Sequence, residues 1–317
     1  MKLFILGNGF DISHQIPCRY SDFYSYLLEN RNDILEVMEK FYYVESDSDL
    51  WSDFETSLEE DIIYDSLKEI IGENSPNCGS DDFSDGDWYT AQVYVEDECE
   101  ELLVNIRNGF EEWINSLDIS DINRIYKLDK SDFYITFNYT EILERIYNIP
   151  LLKIMHIHNK VGEELIFGHG KNSENFNVRQ ALYGDENAFL TIDEDGNVES
   201  GEMGHEKFAE NAVDSFYDMM RKPTEKIIEN NFEYFNNLRD IDEIVVIGHS
   251  YNEIDFPYFK RISEQIGDSV NWTLCYYSDN DLQSAKEIMR QLGISTDLQS
   301  YKHSTELEIK DNQLNLF

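Results

Sequence analysis

Met1-Lys2-Leu3-Phe4-Ile5-Leu6-Gly7-Asn8-Gly9-Phe10-Asp11 opens the chain. Leu3 to Leu6 run without a polar interruption, the pattern of a strand buried on both faces of a parallel sheet. Two glycines, one residue apart, then let the backbone turn sharply and bring N–H groups close to a ligand. Such a bend is the usual entrance to a nucleotide site, although the same spelling also makes an ordinary tight turn. The first interpretation makes Gly7, Asn8, Gly9, Phe10 and Asp11 candidate nucleotide-binding residues.

Downstream, the pattern alternates between strand and helix. Apolar residues at Phe23, Leu27 and Leu28 predict one helix, and Ile34, Val37, Met38 and Phe41 a second. Trp51, Phe54, Leu58, Ile62, Leu67 and Ile71 recur at helical spacing and predict one long amphipathic helix between Asp49 and Ile71. A polar loop over 72–87 precedes another long helix from about Tyr89 to Leu117. The sheet resumes at Phe133-Tyr134-Ile135-Thr136-Phe137, with further strands expected at Leu151–Ile157, Leu165–Phe167, Glu243–Ile247 and Trp272–Tyr277. Helices are expected over about 207–221, 224–238, 255–266 and 281–292. The expected fold is a single α/β domain over 1–317: a Rossmann-like, mostly parallel sheet with helices on both faces. A large helical insertion occupies about 12–130, and an acidic surface insertion about 184–206. Within the latter, Asp193, Asp195 and Asn197 invite a calcium loop, but Val198 stands where that loop needs glycine and Gly204 where it needs glutamate.

Composition narrows the partners. The 317 residues carry 65 acidic against 25 basic side chains, a formal charge of −40. Such a surface repels phosphate backbones and anionic lipid, which argues against nucleic-acid and membrane partners. No apolar run approaches the ~18 residues that a membrane span requires. Cys18, Cys78, Cys99 and Cys275 are scattered, without a C-x-x-C pair. They suit reduced thiols in a soluble, cytoplasmic protein better than a zinc site or a disulfide framework.

Four polar clusters each follow a predicted strand: Gly7 to Asp11, Thr136 to Thr140, His156-Ile157-His158-Asn159, and Gly248-His249-Ser250 with Asp255 beyond. In a parallel sheet the strand carboxyl ends lie on one edge, where ligands bind, so folding would gather these clusters around one cleft. Each also has a plain structural role. Asn138 fits a cap for a helix beginning near Thr140, Ser250 a cap for the next helix, Asp255 a partner for that helix's dipole and Asp11 a turn cap. His156 and His158 alternate along the expected strand, so one of them faces the cleft and the other the core.

Several chemistries lack their signature. Gly248-His249-Ser250-Tyr251-Asn252 misses the closing glycine of a nucleophile elbow, and no Walker lysine follows a glycine loop. His156, His158 and His169 lack the carboxylates expected of a catalytic metal centre, so no metal ligands are assigned.

Taken together, Ile5-Leu6-Gly7-Asn8-Gly9-Phe10-Asp11, Tyr20-Ser21-Asp22-Phe23, Trp51-Ser52-Asp53-Phe54-Glu55, Thr136-Phe137-Asn138-Tyr139-Thr140, His156-Ile157-His158 and Ile247-Gly248-His249-Ser250 with Asp255 resemble, in order and spacing, the AbiH family of bacteriophage abortive-infection proteins. That resemblance implies an anti-phage role in which an infected cell is arrested before progeny emerge. A more distant similarity, to sirtuin-like NAD-binding domains, implies a reaction. There Gly7 and Gly9 would hold the pyrophosphate, Asn138 would face the nicotinamide ribose, Ser250 would lie near the adenosine half and His158 would match the family histidine. Asn159 replaces the glycine that normally follows that histidine, which leaves the choice between His156 and His158 open. No zinc-binding cysteine module is present, so protein deacylation is not implied.

The resulting expectation is hydrolysis of NAD or a related nucleotide at its N-glycosidic bond, with Asn138, His158 and His156 as catalytic candidates. NAD would be substrate or ligand, and no separate cofactor is expected. Gly248, His249, Ser250 and Asp255 join the N-terminal bend as nucleotide-binding candidates. The alternative is a non-catalytic sensor that holds a nucleotide or phage product and acts through a partner. The helical stretch 12–130 is long enough for a lid, to which Trp51, Asp53 and Glu55 would belong, or for a homo-oligomer contact.

Overall fold

β1 (Lys2–Leu6) lies at the centre of a six-stranded, wholly parallel sheet in the computed structural model, which describes residues 1–309 apart from 52, 186–189, 193–197, 201–204 and 268. The other strands are β2 (Phe133–Thr136), β3 (Ile154–His156), β6 (Glu243–Ile247), β7 (Asn271–Tyr276) and β8 (Gln299–His303), in spatial order 3-2-1-6-7-8. A separate two-stranded antiparallel sheet pairs β4 (Leu190–Ile192) with β5 (Val198–Ser200). The chain leaves β1 toward β2 on one side and returns to β6 on the other, so the order reverses between β1 and β6. Ligands of open α/β sheets bind at such a reversal.

Both faces of this sheet are covered. Leu3, Ile5, Ile135, Ile244, Val246, Trp272 and Leu274 pack on one side against Phe235, Tyr258, Phe259, Ile262, Ile288 and Met289. Phe4, Leu6, Tyr134, Val245 and Ile247 pack on the other against Phe10, Ile142, Leu143 and Tyr147. A strand that is apolar on both faces gains little register information from alternation. The register is instead marked at the strand ends. Lys2 pairs with Glu243 at 2.8 Å, the N-terminal ammonium with Asp242, and the Lys2 N–H donates to Asp132 at 2.8 Å. At the opposite end Leu6 lies beside both Thr136 and Ile247.

Contacts divide the chain into two compact units: residues 1–22, 111–166 and 223–317, which contain the sheet, and residues 23–110 with 167–222. The second unit is helical, with helices at Asn32–Met38, Asp65–Glu73, Val178–Tyr183 and His205–Met220. Most of the long helix Thr90–Ser116 belongs to it as well. Its core is aromatic: Phe23 meets Trp51, Phe54 and Phe110 edge-on, and Phe110 lies 4.8 Å from Phe167. The helical excursion is therefore narrower than 12–130, and 167–222 joins it. Among the described residues no helix is long and apolar enough to cross a membrane.

Three local expectations need correction. The helix expected over 49–71 is broken into Asp49–Trp51, Phe54–Ser57 and Asp65–Glu73. Asp53 caps the second piece by accepting from Thr56 N–H, while Ile63 N–H donates to the Phe41 carbonyl and Ile62 N–H to the Tyr217 hydroxyl. Tertiary partners have taken the amides that a continuous helix would need. Leu165–Phe167 is not a strand; Ile166 N–H closes a loop onto the His158 carbonyl. β8 was not anticipated, because Gln299-Ser300-Tyr301-Lys302-His303 is a polar edge strand without an apolar run. Asp193, Asp195, Asn197 and Gly204, on which the calcium-loop question turned, lie outside the described residues.

Candidate functional site

The N-terminal bend closes directly on the end of β6. Gly7 N–H donates to the Ile247 carbonyl at 3.0 Å, Gly9 N–H to the Gly248 carbonyl at 2.8 Å and Phe10 N–H to the Gly7 carbonyl at 2.9 Å. Gly248 has φ +68°, and a Cβ there would lie 2.2 Å from the Phe10 nitrogen. Glycine is thus required for two backbones to touch at the switch point. The same bonds occupy the Gly7 and Gly9 amides that the sirtuin likeness offers to a pyrophosphate. Asn8 also turns inward on the chain: its Nδ2 donates to the Cys18 carbonyl at 2.8 Å and its Oδ1 accepts from the Cys18 thiol at 2.9 Å. Phe10 is buried against His14 and Tyr126.

Asp11 is the residue of the bend that carries a polar group into the strand-end cluster. Its Oδ1 accepts from Asn138 Nδ2 at 2.7 Å and its Oδ2 from the Thr140 hydroxyl at 2.6 Å. Asn138 is therefore no helix cap; the helix Ile142–Arg145 is preceded by Glu141. Asp11 is likewise no side-chain turn cap. Burial pushes its carboxyl up to about 6, against the hydrogen bonds from Thr140 and Asn138 and the charge of His156, all of which pull it down. A carboxyl poised there exchanges a proton close to neutrality, as acid–base chemistry requires.

The two histidines do not alternate along one strand, because β3 ends at His156 and His158 sits in the turn beyond. Both come to the Asn138 segment. His156 Nδ1 lies 3.2 Å from the Asn138 main-chain oxygen and Nε2 3.0 Å from Glu144 Oε1. Both partners are acceptors, so each bond needs a ring N–H, and the doubly protonated ring is the form that makes both. His156 thereby braces the Asn138 main chain. Burial alone would raise the Glu144 carboxyl, but the bond and charge of His156, joined by Lys160 at 3.2 Å, hold it below the usual range. His158 is buried between Phe137, edge-on at 5.5 Å, and Tyr139, stacked at 5.8 Å.

From β6, His249 packs edge-on against Phe137 at 4.6 Å. Its Nδ1 accepts from Tyr251 N–H at 2.8 Å, so the proton resides on Nε2, which faces Asp255 Oδ2 at 3.3 Å. With both ring nitrogens engaged, His249 is held in one orientation. Asp255 is buried against it, whereas Ser250 is exposed. The structure thus brings Asp11, Asn138, Thr140, His156, His158, His249 and Asp255 to one end of the sheet and leaves Ser250 at the surface.

Two clusters escaped sequence reasoning. In the sheet unit, His14 Nδ1 donates to the Phe10 carbonyl at 2.7 Å and Nε2 accepts from the Tyr147 hydroxyl at 2.8 Å; burial lowers this imidazole to about 4. Tyr147 in turn accepts from the Ile125 and Tyr126 amides. In the helical unit, Lys222 is fully buried and pairs with Glu55 at 2.7 Å. Its main chain runs beside His169: His169 N–H donates to the Met220 carbonyl and Lys222 N–H to the His169 carbonyl. Glu55 is held by this ion pair, Trp51 is core, and His169 belongs to this unit. The usable sequence signal was Gly168-His169-Gly170: a Cβ at residue 168 would lie 1.9 Å from the Met220 carbonyl oxygen.

The family model of bacteriophage abortive infection AbiH matches residues 3–276, from the first residue of the central apolar run to the last of β7. The chain belongs to the AbiH family. The match spans both the glycine bend and the Asn138 segment, so the site just described lies wholly inside the family's own extent. A comparison with curated proteins finds no match.

Proposed function

We propose that this AbiH-family protein acts in abortive infection by hydrolysing the N-glycosidic bond of NAD or a related nucleotide. The observation that carries the proposal is the meeting of Asp11, from the end of β1, with Asn138 and Thr140, from the end of β2, at the switch point of a parallel sheet. The likeness of the Thr136-Phe137-Asn138 segment and His158 to sirtuin-like domains supports the choice of NAD.

Cleaving nicotinamide from ribose passes through an oxocarbenium-like cation, so the site must fix the sugar, admit one water and stabilise positive charge. Asn138 would orient the water or the ribose hydroxyls, His158 would accept a proton from one of them, and Asp11 would lie nearby as an anion above about pH 6. His156 and His249, engaged with Glu144 and Asp255, would hold the segment in place.

The test is a chromatographic time course of purified protein with added NAD, NADP and ATP, run beside Asn138→Ala and His158→Ala. Nicotinamide release that Asn138→Ala abolishes, with the circular dichroism spectrum unchanged, is the expected outcome. Turnover retained by Asn138→Ala would sink the assignment. A stoichiometric, intact nucleotide seen by native mass spectrometry without turnover would establish the sensor in its place.

A further inference from the structure

Asn138 and His158, the two groups assigned to the reaction, stand on different segments, so their spacing has to be fixed from outside. Main-chain bonds tie Ile157 to Thr136 and Val161 to Tyr139, each at 2.9 Å. Asn138 and His158 lie between those two ties, and side chains that meet on Glu144 brace them there. Glu144 Oε1 faces His156 Nε2 at 3.0 Å and accepts from Lys160 Nζ at 3.2 Å. The other ring nitrogen of His156 reaches the Asn138 main-chain oxygen at 3.2 Å, which links Glu144 to the end of β2. Lys160 follows His158 by two residues, in a turn with positive φ at Asn159 (+61°) and Gly162 (+85°), which links the same oxygen to the His158 turn.

Glu144 projects from the helix Ile142–Arg145, whose Ile142 and Leu143 are buried, so both segments hang from one anchored point. The Glu144 and His156 side chains are 11% and 10% exposed, and a contact so shielded is little screened by salt. The carboxylate is used unevenly. Oε1 meets both donors, while Oε2 is buried without a hydrogen-bond partner among the described residues. A carboxylate that only balanced charge could share its donors between two equivalent oxygens. Here a single atom fixes how far apart the two donors lie.

We infer that Glu144 is a positioning residue which, by gathering His156 and Lys160 on one oxygen, sets the distance between Asn138 and His158. The inference rests on the nucleotide-hydrolysis proposal and extends it to a residue outside the reacting groups. Reach matters here as much as charge. Glu144→Asp keeps the anion but withdraws it by one methylene, so it cannot meet both donors where they now stand. A displacement of about 1 Å between reacting groups lowers a rate about a hundredfold. Lys160 is held in turn by Glu141, whose Oε1 accepts from Nζ at 2.7 Å, so loss of Glu144 frees the His156 side of the clamp more than the Lys160 side.

Two readouts separate this inference from the function beneath it. The first needs no turnover: in protein labelled at asparagine and histidine, the Asn138 main-chain carbonyl and the His158 ring are followed by NMR in wild type, Glu144→Asp, Glu144→Gln and Lys160→Met. Both signals should move in each Glu144 variant, and the His158 signal should move in Lys160→Met. Unchanged amide signals from Leu3 to Leu6 certify each fold. The second readout is nicotinamide release from NAD, in which Glu144→Asp should lower kcat about a hundredfold and leave KM nearly unchanged, the mark of lost alignment as opposed to lost binding. A wild-type protein that releases no nicotinamide would remove the function, and the NMR result would still decide the inference. Glu144→Asp with wild-type signals at Asn138 or His158, or with wild-type kcat, would overturn it by showing that charge alone suffices. Should the Glu144 variants fail to fold, Lys160→Met, altered at a side chain 19% exposed, decides in their place, and a wild-type His158 signal there would equally overturn it.

Discussion

Asp11 and Glu55 are both carboxylates drawn into the interior, one in the sheet unit and one in the helical unit, yet their partners differ in kind. Asp11 is met directly by an amide and a hydroxyl, neutral donors, and burial carries it to about 6 although these bonds and the charge of His156 pull it down. Glu55 is met by the ammonium of a wholly buried lysine at 2.7 Å. An ion pair in a protein interior is poorly exchangeable, because removing one charge strands the other. A carboxyl among neutral donors can gain or lose its proton while its surroundings stay put. The first arrangement suits chemistry and the second suits architecture, although both begin from one acidic side chain out of water.

The largest expected effect tests that division directly. Glu55→Gln leaves the Lys222 ammonium buried without a counter-charge and should cost about 3–5 kcal/mol in urea unfolding. Asp11→Asn at neutral pH should cost about 1 kcal/mol or less, because the surrounding donors are neutral. If the two costs were reversed, the contrast drawn here would be wrong. The Glu55→Leu/Lys222→Met pair should recover most of the loss.

Next come the glycines that let each cluster close. Gly168→Ala and Gly248→Ala each combine a positive φ with a backbone collision and should cost about 3 kcal/mol. Wild-type stability in the Gly168→Ala protein would mean that segment 167–170 does not need its docking against 220–222.

A pH series sharpens the contrast. Folded Asp11 keeps its proton to about pH 6, whereas its ordinary value is 3.8, so its contribution is complete below 3.8 and lost as pH rises through 6. That term amounts to about 3 kcal/mol. His14 and His169 have the opposite sign: burial lowers both from 6.5 to about 4, so the stability they supply above 6.5 disappears as pH falls toward 4. Asp11→Asn removes the opposing term and should make acid unfolding steeper between pH 6 and 4. Urea midpoints that fall no faster than wild type over that interval would discount the buried carboxyl.

The smallest effects compare the two buried histidines. Tyr147→Phe deletes the hydroxyl that serves His14 and two backbone amides and should cost about 1–2 kcal/mol. His169 packs against Phe176 and its ring is met by the backbone of Tyr217 and Lys171, so His169→Phe should cost about 1 kcal/mol in unfolding.

Much of the sheet was legible from the residues themselves. Leu3–Leu6, Phe133–Phe137 and Glu243–Ile247 are apolar runs that only a strand covered on two faces can bury, and each is followed by polar residues at a strand end. The polar strand β8 lacked that signal. The 49–71 helix failed because periodicity does not reveal that Phe41 and Tyr217 will take the amides of Ile63 and Ile62.

The site divided in the same way. Residue type and position after a strand were enough to nominate Asp11, Asn138, His156, His158, His249 and Asp255. Their roles depended on partners more than a hundred residues away, as with Asp11 and Asn138, or on the groups that engage the histidine rings, such as Glu144 and the Tyr251 amide. By itself the sequence determined which segments become buried parallel strands, since burial of apolar side chains follows from local composition. Tertiary structure alone decided which carboxyl meets neutral donors and which meets an ammonium, because hydrogen bonds and ion pairs act over about 3 Å of space and carry no memory of chain separation.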